Sequence, residues 1–467
     1  MLGLRPRGIR LPSHKDRTLY SLQIGCPPPP PIVKISLPKQ MLSSLSPCVH
    51  VGDSVCVGTK VVESFNWMSA PIHSSVSGKV SEVHSEFIVI ESDGLDRPDA
   101  SIQVRGGIPL ESDWLINTIR ENGIVDLGGS GEPIHPRLLE ARGAGVETVI
   151  LNACESEPFL TSDHVLMINH AVEVLKGAEL IRVACGAKRV VIVTERDKRE
   201  AVEVLNSKNY NLKFKTIETA MLPVRYPQGD HRVLFESVTR KKLAKGETFI
   251  AKGVLIEHVA TAFAVYEAVY LRKPFYERVI TVSGSCVADP KNLWARRGTP
   301  AVELLSAAKG FLRSPDRVIF GGPMTGEPID DFDRPVTPQV RAILALPAES
   351  VAAGVEEPCI RCGLCVDTCP ETLIPEALVR AVRGKDHELE EEYRLDACTE
   401  CGVCAYVCPS KIPIVSILRE GKRQGQKKES GVSHPSGFGR VVKESEPMVP
   451  SEEEEVTSSA SIGQDKS

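Results

Sequence analysis

The sequence has no run of about 18 apolar residues, so no segment reads as a membrane-spanning helix. Its N-terminus, MLGLRPRGIRLPSHKD, has no apolar core of signal-peptide length. It also lacks a charge excess: a net charge of −5 over 467 residues gives no reason to expect nucleic acid. Cysteine is the residue it does not lack. Of fourteen cysteines, eight fall in two CxxCxxCxxxCP runs. In a chain read as leaderless, such clusters mean metal rather than disulfides, and the expected compartment is a reducing cytoplasm. Any membrane role would then be peripheral.

The chain is long enough for three or four domains at about 100–200 residues each. Residues 1–30 read as an irregular extension ending in the stiff run Pro27 to Pro31. From residue 31 to about 105, short alternating segments such as VGDSVCVGTKVV predict a flattened β-barrel. It resembles lipoyl and biotinyl carrier domains. The stretch SFNWMSAP stands at the hairpin tip, where those carriers keep a modifiable lysine, and it has none. The domain is therefore read as scaffold. From about residue 106 to 272, strands VETVILN, KRVVIVTE and GVLIEH alternate with helices, which means a parallel α/β sheet. SDHVLMINHAVEVLKGAELIRVA reads as one long helix with Ser162 or Asp163 near its N-cap. ERVITVSG and RVIFGG bracket a smaller α+β unit, about 273–345. The cysteine region follows at 346–424. GKRQGQKKESG and SEEEE make 425–467 read as a disordered tail.

The two runs supply Cys359, Cys362, Cys365 and Cys369, then Cys398, Cys401, Cys404 and Cys408. This is the two-cluster ferredoxin spacing, in which the last cysteine of each run serves the other cluster. One [4Fe–4S] cluster takes Cys359, Cys362, Cys365 and Cys408; the other takes Cys398, Cys401, Cys404 and Cys369. Gly363 and Gly402 allow a tight backbone whose N–H groups reach cluster sulfurs. Structural zinc also uses CxxC pairs but has no use for the CxxxCP ending. Between the runs, Ile374, Leu378 and Val382 fall on one helical face, and PIVSILRE reads as a matching short helix.

Clusters take one electron at a time, so a two-electron donor needs a splitter, normally a flavin. In GIVDLGGSGEPIHPRLLEA, Gly128, Gly129 and Gly131 precede a helix, and Arg137 adds a positive charge. Such a loop lets backbone N–H groups approach a phosphate; an ordinary glycine turn looks the same. NACESEPFLTSDH follows the strand VETVILN and brings Asn152, Glu155, Ser156, Glu157 and Pro158 to the C-terminal end of a parallel strand, where such sheets bind ligands. A solvated acidic turn capping the next helix is the plain alternative. Cys154 reads as a buried small residue, and Cys26, Cys48, Cys56, Cys185 and Cys286 are assigned no chemistry.

These stretches, taken with GIRLPSHKD, APIHSSVSGKV, YPQGD, HVATAFAVYEAV, GTP and GGPMTG in their order along about residues 5–420, resemble the RnfC family. Its members are NADH-oxidising peripheral subunits of the Rnf ion-translocating complex. The core is also similar to the flavoprotein subunit of respiratory complex I, whose NADEGEP motif matches Asn152, Glu155, Glu157 and Pro158. The resemblance implies four modules: a barrel-sandwich hybrid β domain, a Rossmann-like parallel α/β domain for FMN and NADH, an SLBB β-grasp domain and a helical two-cluster ferredoxin domain. It implies that Glu155 and Glu157 serve NADH oxidation, and that Gly128, Gly129, Gly131, Arg137, Asn152 and Thr261 hold cofactor. It implies membrane and ferredoxin-type Rnf subunits as partners, and a place on the cytoplasmic side of the membrane. The loop departs from the usual GGAGFPT: Glu132 replaces an aromatic and Ile134 a threonine. A carboxylate beside a flavin phosphate is repulsive unless it points away. His258 stands where the family has asparagine before VAT.

The reading is thus an NADH-dependent oxidoreductase subunit passing electrons through FMN and two clusters to an ion-translocating complex. Two rivals keep the modules. One is a soluble RnfC-like carrier serving another reductase, of the proline or cobalamin type. The other is an electron wire without flavin.

Overall fold

The computed structural model describes residues 8–104, 106–244, 246–350 and 354–431. Of these, the residues through Lys422 form one compact unit and those from Arg423 belong to a second. The SEEEE segment lies outside the described residues.

The N-terminal extension is not wholly irregular. It contains a helical turn at Asp16–Leu19 and a short strand at Ile24–Gly25. Ile9 bridges to Tyr226, and Lys15 is buried. The barrel follows, built from β1 (Ile32–Ser36), β2 (Leu45–Pro47), β3 (Ser54–Val55), β4 (Lys60–Ser64), β5 (Ile72–His73), β6 (Gly78–Val83) and β7 (Phe87–Ser92). They form two sheets, in the orders β1-β7-β6-β3 and β2-β4-β5. Alternation in β1 turns Val33 and Ile35 inward, where they meet Val61, Val62, Ile88 and Ile90.

The central domain opens with α1 (Ser112–Glu121) and α2 (His135–Gly143). Then come β8 (Thr148–Asn152), α3 (Ser162–Asn169), α4 (Ala171–Cys185), β9 (Arg189–Glu195), α5 (Arg199–Leu212), β10 (Ile217–Leu222), α6 (His231–Thr239), β11 (Val254–His258) and α7 (Val259–Tyr270). The sheet is wholly parallel, in the order β10-β9-β8-β11. Every residue of β8 and β11 is buried, as befits strands covered on both faces. The strand order reverses between β8 and β11, which marks the ligand crevice of such sheets.

One expectation is corrected here. The segment from Ser162 is two helices, α3 and α4, broken at His170 with φ −127° and ψ 38°. The His170 ring is held 5.0 Å from that of Phe263 and 5.7 Å from that of Trp294. These distant rings fix the bend, so periodicity alone did not show it.

The third unit comprises β12 (Glu277–Ser283), β13 (Lys291–Arg296), α8 (Ala301–Ala307), β14 (Arg317–Phe320), β15 (Glu327–Ile329) and β16 (Ala342–Leu346). Its mixed sheet runs β13-β12-β16-β14-β15, with the Ile24–Gly25 strand on the β13 edge. Last comes the cysteine region: α9 (Leu364–Thr368), α10 (Pro375–Gly384), α11 (His387–Glu392), α12 (Val403–Tyr406) and α13 (Ile414–Gly431). Leu378 and Val382 are buried, but Ile374 is the exposed cap of α10 and not part of its apolar face. The helix after the second run has 18 residues rather than a short turn or two, and it carries the basic GKRQGQKKESG stretch. Lys, Arg, Gln and Glu are strong helix formers, so a polar composition did not stop it. Among the described residues no helix is long and apolar enough to cross a membrane.

Candidate functional site

The crevice lies where β8 and β11 end side by side, with Asn152 in register with His258. The Asn152 amide joins two loops. Its Oδ1 accepts from the Cys154 N–H at 3.0 Å, and its Nδ2 donates to the Gly229 carbonyl at 2.9 Å. YPQGD is thereby tied to NACESEP. The two glutamates have different partners. Glu155 is buried and accepts from Ser162 Oγ (3.1 Å), Asp163 N (2.9 Å) and His164 N (3.3 Å). It satisfies the free N–H groups at the start of α3, where a negative charge is favoured. Glu157 turns the other way and accepts from Met324 N at 2.9 Å and from Thr325 Oγ1. Burial pushes its carboxyl above the usual range, against the pull of those donors. A Cβ at Gly322 would fall on the Glu157 carboxylate, so that position needs glycine.

The glycine loop closes on itself. Asp126 Oδ1 accepts from Gly128 N at 3.0 Å, while Oδ2 accepts from Ser130 N at 3.0 Å and from Ser130 Oγ at 2.8 Å. Gly131 N reaches the Asp126 carbonyl, and Leu127 N reaches Thr261 Oγ1 at 2.9 Å. Nearby Arg137 and His258 hold the Asp126 carboxyl down at about 2, although burial alone would raise it. The Asp126 carboxylate thus sits where an anion would sit in an open nest. Glu132 is exposed and Ile134 is fully buried. Arg137 pairs with Glu257 at 3.0 Å. Burial pushes the Glu257 carboxyl up to about 7. Arg137 Nε and Glu257 Oε1 are buried and make no hydrogen bond. Asp163 lies 3.1 Å from His258 Nε2 and 2.9 Å from Arg341 Nη2. Sequence reasoning missed Asp126, Glu257 and Arg341, and read Asp163 only as a candidate helix cap. The first has a signal, a carboxylate two residues before a glycine pair; the others are brought in by tertiary contacts.

For an FMN phosphate, these residues leave the Gly129 N–H, the Arg137 guanidinium and the start of α7. The Arg137 Nε beside them is buried without a partner, so the donors present suit a flavin phosphate, with Asp126 and Glu257 as the competing anions.

The cysteines gather in two sets. Cys359, Cys362, Cys365 and Cys408 line a cavity of about 870 Å³. Cys369, Cys398, Cys401 and Cys404 line a second one of about 20 Å³. Each set takes three cysteines from one run and the last from the other. The backbone repeats too: Gly363 (φ +78°) and Gly402 (φ +84°) adopt the left-handed conformation at matching positions. Arg361 N donates to Cys359 Sγ, and Glu400 N to Cys398 Sγ, both at 3.4 Å. Such donors tune cluster potential. Among the described residues no three His, Cys, Asp or Glu side chains gather to hold a single metal ion. The sulfurs line the cavity walls in two sets of four, the ligand number of a [4Fe–4S] cluster. Burial pushes the Cys401 thiol up to about 12; a bound metal reverses that by taking the thiolate.

The inner set lies against the crevice loops. Tyr226 Oη donates to the Cys401 carbonyl at 2.5 Å. A Cβ at Gly402 would lie 2.8 Å from the Met324 carbonyl. So YPQGD and GGPMTG touch the switch-point site on one side and the inner cysteines on the other.

Comparison with known proteins agrees with this layout. A family model described as the RnfC barrel sandwich hybrid domain matches residues 5–97. The Nuo51 FMN-binding domain matches 119–267, and a 4Fe-4S dicluster domain matches 358–412. The chain is 33% identical to the C component of the Na(+)-translocating ferredoxin:NAD(+) oxidoreductase complex of Acetobacterium woodii, over 79% of this chain and 85% of that one. The chain belongs to the RnfC family. The proton-translocating counterpart from Clostridium ljungdahlii is 32% identical over 83% of this chain and 87% of its own length. The C component of the ion-translocating oxidoreductase complex of Serratia proteamaculans is 36% identical; the matched region is 81% of this chain but 55% of that one. In fold, the chain is similar to a chain of an air-oxidised NAD+-reducing [NiFe]-hydrogenase. There the TM-score is 0.50 and the identity 17%, over 68% of this chain and 61% of that one.

Proposed function

We propose that the chain is the NADH-oxidising, FMN-carrying subunit of an Rnf-type complex, held at the cytoplasmic side of the membrane by partner subunits. The carrying observation is the shared wall: the YPQGD and GGPMTG loops that tie down Asn152 and Glu157 also cover the inner cysteines. Arg137, the Gly129 N–H and the start of α7, with Thr261 pinning the loop, would hold the FMN phosphate. Glu155 and Glu157 would shape the NADH side by fixing the two loops that border it. A bound flavin accepts a hydride and releases electrons singly, and paired [4Fe–4S] clusters carry them one at a time.

Cys369, Cys398, Cys401 and Cys404 would hold the inner cluster, and Cys359, Cys362, Cys365 and Cys408 the outer one. The outer set opens to solvent, where membrane or ferredoxin-type subunits reach it. The unit 273–345, a mixed sheet crossed by one helix, is assigned as an SLBB-type β-grasp domain. The other modules are assigned to 31–105, 106–272 and 346–424, with 1–30 as an extension.

Anaerobic titration with NADH tests this. Flavin and cluster absorbance should fall together. Clusters that respond to dithionite but not to NADH would defeat the proposal. The closed glycine loop favours one second reading, a conductor without its own flavin; stoichiometric FMN after gentle purification excludes it.

A further inference from the structure

Away from the crevice, a cavity of about 440 Å³ lies where the barrel, the glycine loop and the β-grasp-like unit meet. It is lined by Lys39 and Met41 from the barrel side, Gly131 from the loop, and Arg297, Phe320 and Gln339 from the third unit. It meets the glycine loop on the Gly131 face, where Gln339 Nε2 donates to the Ser130 carbonyl at 3.3 Å; Gly128, by contrast, faces His258 and Asp126.

Arg297 is the unusual group. It is 6% exposed. Among the described residues its guanidinium has one protein acceptor, the Ser36 carbonyl at 3.1 Å, and no carboxylate partner. Burial pulls its pKa down to about 10, and no neighbouring anion offsets this. The Arg297 backbone is held in place: its N–H reaches the Tyr276 carbonyl at 2.7 Å, and its carbonyl accepts from Ser75 Oγ at 2.6 Å. The other arginines nearby, half-buried Arg296 and Arg341 and buried Arg278, are compensated. Arg296 pairs with Asp96 at 2.6 Å and Arg341 with Asp163 at 2.9 Å. Arg278 is held by the Leu127 and Pro338 carbonyls and also feels Asp163. The one carboxylate lining the cavity, Glu327, is taken by Arg334 at 2.5 Å. Lys39 likewise has no ion-pair partner among the described residues. Two positive charges therefore face the cavity without neutralisation, one of them buried at a cost.

We propose that this cavity binds a small phosphomonoester of mononucleotide size, its dianionic phosphate on Arg297 and Lys39 and its apolar body against Met41 and Phe320. Two unpaired cations match a dianion better than a single carboxylate. A guanidinium fork suits phosphate oxygens. The volume falls within the roughly 300–1,000 Å³ range of small-molecule sites.

Calorimetric titration of the full, cluster-loaded chain with AMP and with inorganic phosphate tests this. Both should bind, phosphate more weakly. Arg297→Gln should weaken AMP by about tenfold or more with iron content unchanged, because a charge-assisted pair is lost. Lys39→Ala, on the rim, should weaken it several-fold; if Arg297→Gln does not fold, Lys39→Ala decides. Absence of binding by either probe at millimolar concentration overturns the site. So does AMP affinity unchanged in Arg297→Gln, or in Lys39→Ala where that variant decides, since the nucleotide would then be elsewhere.

Discussion

The two cysteine runs share their spacing, their left-handed glycines and their N–H to sulfur contacts, yet they end in different surroundings. Cys359 and Cys362 are exposed beside a wide cavity, whereas Cys369 and Cys404 are buried in a narrow one. The difference comes from outside the motif. Tyr226 and Met324 cover the second run, whereas among the described residues the cavity of Cys359, Cys362 and Cys365 is lined by the cysteine region alone. A local ligand pattern sets what can be bound. The tertiary cover then sets dielectric and hydrogen bonding, and so the potential and who can reach the cluster. A repeat of this kind can hold one end of a relay inside and one end out.

The largest test of that contrast is the cross-pairing. Cys369→Ser should remove the inner cluster and Cys408→Ser the outer one, each taking roughly half of the iron. Electron paramagnetic resonance of the reduced protein should lose one of two signals in each case. If Cys369→Ser removed the outer signal, the inner and outer assignment would be wrong. Next comes Gly322→Ala, which puts a methyl group on the Glu157 carboxylate. Overpacking costs about 1–3 kcal/mol. We expect a lower melting temperature and slower NADH-dependent reduction of the inner cluster, with the outer ligands untouched. Asp126→Ala should be milder. It frees the Gly128 and Ser130 N–H groups and removes a competing negative charge. FMN affinity, followed by flavin fluorescence, should rise several-fold. An unchanged or weaker affinity would mean that the carboxylate organises the loop rather than competing for it.

How much of this was legible follows the range of each signal. The cysteine ligands are a local spacing, and β8, β9 and β11 are unbroken apolar runs, so the sequence exposes both. The break at His170 is set by Phe263 and Trp294 from distant segments, and nothing within α3 or α4 announces it. Asn152, Glu155 and Glu157 were readable as one acidic loop, but their partners were not. Glu155 caps the helix seven residues on, while Glu157 reaches a loop of another unit. The inner run's cover by Tyr226 depends on a strand-end loop more than 170 residues away in the chain. Burial of one repeat and exposure of its twin is thus a property of the fold and has no counterpart in either motif.

Tyr226→Phe gives the smallest and sharpest test of that cover. The phenol Oη donates to the Cys401 carbonyl and leaves the sulfur itself alone. Its removal deletes one neutral hydrogen bond, worth about 1 kcal/mol to stability. The effect on potential is a fraction of this, because only the difference between the oxidised and reduced cluster counts. The donor places a partial positive charge beside the cluster and so favours the reduced, more negative state. Without it the inner midpoint should move negative by roughly ten to thirty millivolts, at about 59 mV per tenfold for one electron. The outer midpoint should stay where it is, since Tyr226 does not line its cavity. A redox titration that resolves both signals decides. Equal shifts in the two would mean that Tyr226 acts on the whole ferredoxin unit, and the contrast between covered and open cysteines would need another cause.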